Sequence, residues 1–157
     1  MLGTSFNVKA YDDEKNIIIS VTSGKVSVFS PKKEKTSNNA QAEINGVVLL
    51  PNQQVVYKRD LKSFDKTLVE EPVILSTVIA GDDFNFENIA IPDVFRTLEK
   101  SYGIEIIFDE EVMKTCFITA PLGSEPLFEK LKIICRTIGA TYEVIDTKVV
   151  INSSGCL

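Results

Sequence analysis

The sequence predicts an α+β chain: an antiparallel all-β part over residues 1–63, then a small two-layer α+β domain over 84–151 in the order β-α-β-β-α-β-β. Three observations carry this. Apolar and polar residues alternate through the first part, broken by short turn signals. Two apolar stripes of helical period occur later, Ile91, Val94, Phe95, Leu98 and Tyr102, and then Leu127, Phe128, Leu131, Ile134, Cys135 and Ile138. Each stripe stops at a glycine, Gly103 or Gly139, and an apolar strand follows.

In the first part, Thr4 to Tyr11 alternates as a strand, and Asn16 to Thr22 carries "IIISV". "SGK" at Ser23 to Lys25 signals a tight turn into the alternating run Lys25 to Ser30. The polar, turn-rich stretch Ser30 to Gly46 is expected to be a long loop. "VVLL", Pro51-Asn52 and "QQVVYK" read as strand, turn and strand, because proline presets φ and asparagine tolerates the left-handed region. Between Arg59 and Asp83 the sequence supports a linker with one strand that joins either sheet, so 64–83 is assigned as linker and strand.

In the second part, "FNFEN" is a short alternating strand. Pro92 suits the first turn of the helix that follows, and "IEIIF" at Ile104 to Phe108 is a buried-type strand. "DEEVMKT" leads to a strand over Cys116 to Ala120. The second helix is expected to start at Ser124 as its N-cap, with Glu125 and Pro126 in the first turn. "TYEVI" and "KVVI", separated by Asp146-Thr147, form a closing hairpin, and 152–157 is a tail. Two helices with one apolar stripe each are expected to cover one sheet face. The doubled helix-Gly-strand unit is a pair within one domain, since solenoids need three or more copies.

Composition narrows the chemistry. The 17 basic and 22 acidic residues give a net charge of −5, and the basic cluster "PKKEK" is interrupted by Glu34, so nucleic acid is not an expected partner. The absence of histidine removes Ser-His and Cys-His catalysis and the histidine-bearing zinc sites. Cys116, Cys135 and Cys156 are too few and too scattered for a thiolate zinc site. Cys116 and Cys135 read as small buried hydrophobes, and Cys156 as exposed in the tail. Whether Cys116 and Cys135 are bonded depends on a Cα separation that sequence does not supply, which leaves the redox compartment undecided.

The acidic run Asp12, Asp13 and Glu14 lacks the ligand spacing of a calcium loop and reads as solvated. Asp109, Glu110 and Glu111 offer paired carboxylates for acid-base work, or a cap for a short helical turn, and the structural reading is preferred. "GTS" at Gly3 to Ser5 is too short for a phosphate loop. No catalytic, cofactor or metal set emerges. The candidate functional residues are instead for a protein partner. Lys148, Val149, Val150 and Ile151 are expected to form an edge strand whose free backbone groups accept another strand. Phe84 and Phe86 alternate with polar residues; core is the preferred reading, an exposed face for a partner the other.

At this point the chain resembles the FecR family, the ferric-citrate-regulator type of transmembrane sigma-factor regulators. The resemblance rests on Leu2-Gly3-Thr4, Phe6-Asn7-Val8, Gly24-Lys25-Val26 and "LLPNQQVVY" at Leu49 to Tyr57. "FNFENIAIPDVFRTLEKSYGIEIIFD" resembles the domain that follows in such proteins, which is similar to the short N-terminal domain of secretins and TonB-dependent receptors. Together these blocks cover most of the chain. Asn52 stands where the family usually has glycine, and the tryptophan common before the F-x-F strand is lacking.

The resemblance implies a periplasmic signal receiver. Its partner would be the periplasmic signalling domain of an outer-membrane TonB-dependent transducer, and its output an extracytoplasmic-function sigma factor. The family's upstream β segment, membrane helix and cytoplasmic sigma-binding segment are not within residues 1–157, so sigma-factor and membrane contact are expected only through those segments. An uncovered sheet edge further implies a homodimer or swapped assembly. The other reading is a periplasmic or surface structural or carbohydrate-binding module. An upstream membrane helix favours the regulator, and a lipoprotein signal the module. No tryptophan and four tyrosines argue against a glycan platform.

Overall fold

The computed structural model describes residues 3–29, 46–75 and 84–156; most of the loop expected over 30–46 and part of the apolar run at 72–80 lie outside them. The chain divides into two compact units, Met1–Lys66 and Thr67–Leu157.

The first unit holds β1 (Ser5–Ala10), β2 (Asn16–Ser23), β3 (Val26–Phe29), β4 (Gly46–Leu49) and β5 (Gln53–Lys58), with β6 (Ser63–Leu68) running across the division. One sheet has the order β1-β2-β5-β6, and β3 pairs with β4 apart from it. β6 lies within the stretch Arg59 to Asp83 and joins the first sheet; the apolar run from Pro72 carries no strand as far as Leu75 and is otherwise outside the described residues. β1–β2 and β2–β5 are antiparallel, with Val8 opposite Ile19 and Ile19 opposite Val55. Among the described residues, the centre of this face is the buried part. Val21, Leu49 and Val55 are buried there, with Ile19, Val26, Val28, Val47 and Phe64 packed around them.

Two turns explain the local sequence. Gly24 has φ +79°, and a Cβ there would lie 2.5 Å from the Thr4 hydroxyl oxygen, so only glycine fits between β2 and β3. Asn52 has φ +65° in the turn that the Gln53 amide closes by donating to the Leu50 carbonyl at 3.1 Å. Asparagine thus holds the backbone that glycine would hold. Its amide donates to the Val21 carbonyl at 3.0 Å, fastening the turn to β2.

The second unit runs β7 (Asn85–Ala90), α1 (Ile91–Tyr102), β8 (Glu105–Ile107), α2 (Glu110–Met113), β9 (Phe117–Pro121), α3 (Leu127–Ile138), β10 (Thr141–Ile145) and β11 (Lys148–Asn152). The α+β class and the element order follow the sequence, with the short α2 added. The layering differs. Instead of one sheet there are two, β7–β9 and β10-β11-β8. α1 packs on β7 and β8, and α3 on β9 and β10, so each long helix meets one strand from each sheet. The reason lies in the width of the stripes. α1 buries Ile91, Pro92, Val94, Phe95, Leu98, Ser101 and Tyr102, more than one flank of a helix, and two sheets are needed to cover it.

Both stripes read from the sequence are buried, except that Phe128 is half-buried. Gly103 and Gly139 close the helices in left-handed conformations, φ +63° and +70°, their amides donating to Glu99 and Cys135 carbonyls. The start of α3 is a correction. Ser124 does not cap it; the helix begins at Leu127, with Pro126 extended at ψ 154° in the cap position. Proline disfavours the helical region for the residue before it, so Glu125 cannot belong to a first turn. The Pro126 carbonyl accepts the first helical bond, from the Lys130 amide at 2.9 Å.

Candidate partner-binding surface

The residues expected to form an open edge do not do so. β11 is the central strand of its sheet: it pairs antiparallel with β10 and parallel with β8. Lys148, Val149 and Val150 have neighbours on both sides, Ile151 has Tyr142 on one, and Val149 and Ile151 are buried. The last strand of a chain lies at an edge only when nothing parallel joins it. Here Ile106 pairs across from Val149, a long-range contact that no local pattern displays. Phe84 and Phe86 are likewise core residues, 0% and 6% exposed, so the exposed-face alternative is excluded for them.

The rim therefore lies on the flanking strands. β8 is only three residues long, and the Ile106 amide donates to the Glu99 carboxylate at 2.7 Å, so a side chain already occupies that donor. β10 is the longer flank. Its Thr141, Glu143, Val144 and Ile145 are exposed, and Tyr142 stacks on Phe128 at 6.2 Å between ring centres. The hairpin turn that ends it carries Asp146 at φ +54°. Of the exposed apolar side chains in this unit, Ile145 is on β10, Ile107 on β8, and Phe117 on β9 of the other sheet.

Charged groups near these elements have structural roles. The Asp109 carboxylate caps α2 by accepting from the Val112 amide at 3.2 Å. Glu110 pairs with Arg96, which also meets Asp93 at 3.1 Å, and Glu111 pairs with Lys114. The bond and charge of Glu110 raise the Arg96 pKa further. Lys148 lies 3.7 Å from Glu105 across the β11–β8 pair. Among the described residues no group of three or more Cys, Asp or Glu is placed to hold a metal ion, and no helix is long and apolar enough to cross a membrane.

Two features escape the sequence reading. Lys130 is buried, its ammonium 4.3 Å from the centre of the Phe84 ring, donating to the Tyr102 hydroxyl at 3.1 Å and to the Glu125 carbonyl. Burial lowers its pKa and raises that of Tyr102. The signal was available: Lys130 lies three residues after Leu127 and four before Ile134, inside the apolar stripe. The second is the disulfide between Cys116 and Cys156, with Cα atoms 5.6 Å apart, while Cys135 is free and buried.

Burial pushes the Cys135 thiol from 9.0 to about 11. Its raised value makes its stabilisation complete below pH 9 and progressively lost as the pH climbs to 11, by roughly 2–3 kcal/mol. Urea unfolding at pH 8.5 and 11 checks this: Cys135→Ala should lose that much less than the parent over the interval. Equal losses would show that the thiol contributes nothing.

Residues 83–151 match the family described as "FecR, C-terminal". Over these residues the second unit is similar to a FecR C-terminal domain. The match begins one residue before Phe84 and ends in β11, and so contains both sheets and all three helices. No curated protein matches the chain. Two crystal structures of a candidate anti-sigma factor from Parabacteroides distasonis ATCC 8503, at 2.50 and 1.65 Å resolution, are similar to it, each at 25% identity and TM-score 0.42. The alignments cover 98% of this chain and 65% and 66% of those chains, so the chain spans just under two thirds of their length. Among the described residues of this unit, β10 is the longer outer strand of its sheet, with β11 as the strand that holds β10 and β8 together.

Proposed function

We propose that the chain is the periplasmic signal-receiving region of a FecR-like anti-sigma regulator whose full-length form is anchored in the inner membrane. It relays a signal from an outer-membrane TonB-dependent transducer to an extracytoplasmic-function sigma factor. The observation that carries this reading is the FecR C-terminal match over the compact second unit. The Cys116–Cys156 disulfide supports an oxidising compartment, since such bonds rarely persist in a reducing cytosol. The proposed docking element is the outer edge of β10, to which a strand of the transducer's signalling domain adds.

Isothermal titration of this chain with that signalling domain tests the reading. Saturable binding is expected. Ile145→Asp should weaken it at least about tenfold, ~1.4 kcal/mol, while Phe117→Asp on the other sheet leaves it unchanged. No heat of binding with both partners folded would overturn the assignment. An effect of Phe117→Asp alone would move the docking edge to β9.

A further inference from the structure

The two sulfurs of the Cys116–Cys156 bond stand in unequal surroundings. Cys116 is 1% exposed and its backbone is held on both sides: its amide donates to the Met113 carbonyl at 2.9 Å, and its carbonyl accepts from the Ile91 amide at 2.8 Å. Cys156 is exposed, in a segment, 153–156, that belongs to no helix or strand. Among the described residues this segment makes one hydrogen bond, and it is internal: the Gly155 amide donates to the Ser153 hydroxyl at 3.1 Å. The segment runs beside α2, where a Cβ on Gly155 would lie 3.7 Å from Val112 Cγ1. The disulfide is thus what fastens the segment to the body of the unit, and no strand pairing depends on it. A further observation concerns the reduced form. The Val112 carbonyl oxygen stands 3.9 Å from Cys116 Sγ. A disulfide sulfur has no hydrogen to donate, whereas a thiol has one, so an acceptor for the reduced side chain is already in place. Cys135 does not compete: it is buried, and with its thiol pushed up to about 11 it stays protonated at neutral pH and is no internal nucleophile.

We propose that the Cys116–Cys156 bond is a one-sided exchange site for a dithiol reductant, entered at Cys156, and that it serves as a releasable clamp on the segment 153–156. A thiolate of the reductant attacks Cys156 Sγ in line with the S–S bond. A new S–S bond forms between the reductant and Cys156. The Cys116–Cys156 bond breaks, and its electron pair passes to Cys116 Sγ, which takes up a proton and donates to the Val112 carbonyl. The reductant's second thiolate then attacks its own sulfur in the mixed disulfide and releases Cys156, which is protonated in turn. The protein disulfide gains two electrons and two protons, and the dithiol is oxidised to its disulfide. Access sets the direction, because attack on Cys116 would require the reductant to enter the core. Once released, the segment no longer covers Val112 and Cys116, while the helices and strands keep their hydrogen bonds. A disulfide-bearing oxidant refastens the segment by the reverse sequence.

Thioredoxin with its second active-site cysteine replaced by serine is the probe, because it stops at the mixed disulfide. Incubated with the native chain and quenched in acid, it should give a covalent adduct. Peptide mass spectrometry should find that adduct on Cys156 at least about tenfold more often than on Cys116. With dithiothreitol, the rate of thiol release should be the same in buffer and in urea below the unfolding transition, and the helical circular dichroism signal should persist in the reduced chain. An adduct chiefly on Cys116, or none, would overturn the inference. A rate that climbs steeply with urea below the transition would overturn it as well, since the bond would then be reached only when the unit opens. So would loss of the helical signal in step with reduction.

Discussion

Cutting the Cys116–Cys156 bond should lower the stability of the second unit by about 4 kcal/mol. The bond closes a loop of 40 residues that contains β9, α3, β10 and β11. Its main effect is on the unfolded chain, whose freedom it restricts; for a loop of this length the chain-entropy relation gives ~4 kcal/mol. Cys156→Ser is the cleaner variant, because Cys156 is exposed whereas Cys116 is 1% exposed and fills part of the core. Among the described residues every helix lies in the second unit, so the helical circular dichroism signal reports that unit by itself. In urea, the midpoint of that signal should fall for Cys156→Ser and for the parent in dithiothreitol alike. The slope should rise in both, as the freed chain exposes more surface on unfolding. An unchanged midpoint in both would mean that the tail from Ser153 onward contributes nothing to holding the domain together.

The same bond shows where sequence reading stops. Cys116 is visible as a buried residue and Cys156 as an exposed tail residue, and both descriptions hold, although the strand expected from Cys116 begins one residue later. What pairs them is tertiary: Cys116 directly precedes β9, and the turn after β11 brings the tail back beside α2, with Val112 facing Gly155. Local period was enough for α1 and α3, whose stripes need only helical spacing to be recognised. It was enough for the Pro51-Asn52 turn, whose chemistry lies within four residues. It failed for β11 because an edge is a property of the neighbours, and the neighbour β8 lies some forty residues earlier. It failed at Ser124 for a different reason. At this position the restriction before proline dominates the capping preference of serine. A lysine on an apolar face is ordinarily solvated at its tip; at Lys130 the aromatic rings of Phe84 and Tyr102 take the place of solvent.

The domain's stability should depend more on α1 than on any surface pair, and Phe95 is the position that tests this. Phe95 is fully buried at the middle of α1. Its ring lies 5.0 Å from that of Phe108, at 52°, a tilted contact that joins the helix to the segment following β8. Phe95→Ala removes the ring from the core and breaks the aromatic pair, and should cost about 3–5 kcal/mol. The ion pairs beside it, Arg96 with Asp93 on α1 and Glu110 on α2, are exposed and contribute little by comparison. The effect on the helical signal should also add to that of Cys156→Ser. One change removes a contact from the folded state and the other a constraint from the unfolded chain, so neither alters what the other acts on. Additivity within about 0.5 kcal/mol in the double variant is therefore the expected result. A double variant markedly more stable than the sum would mean that breaking the disulfide already loosens the packing around Phe95, and that the bond acts through the folded core rather than through chain entropy.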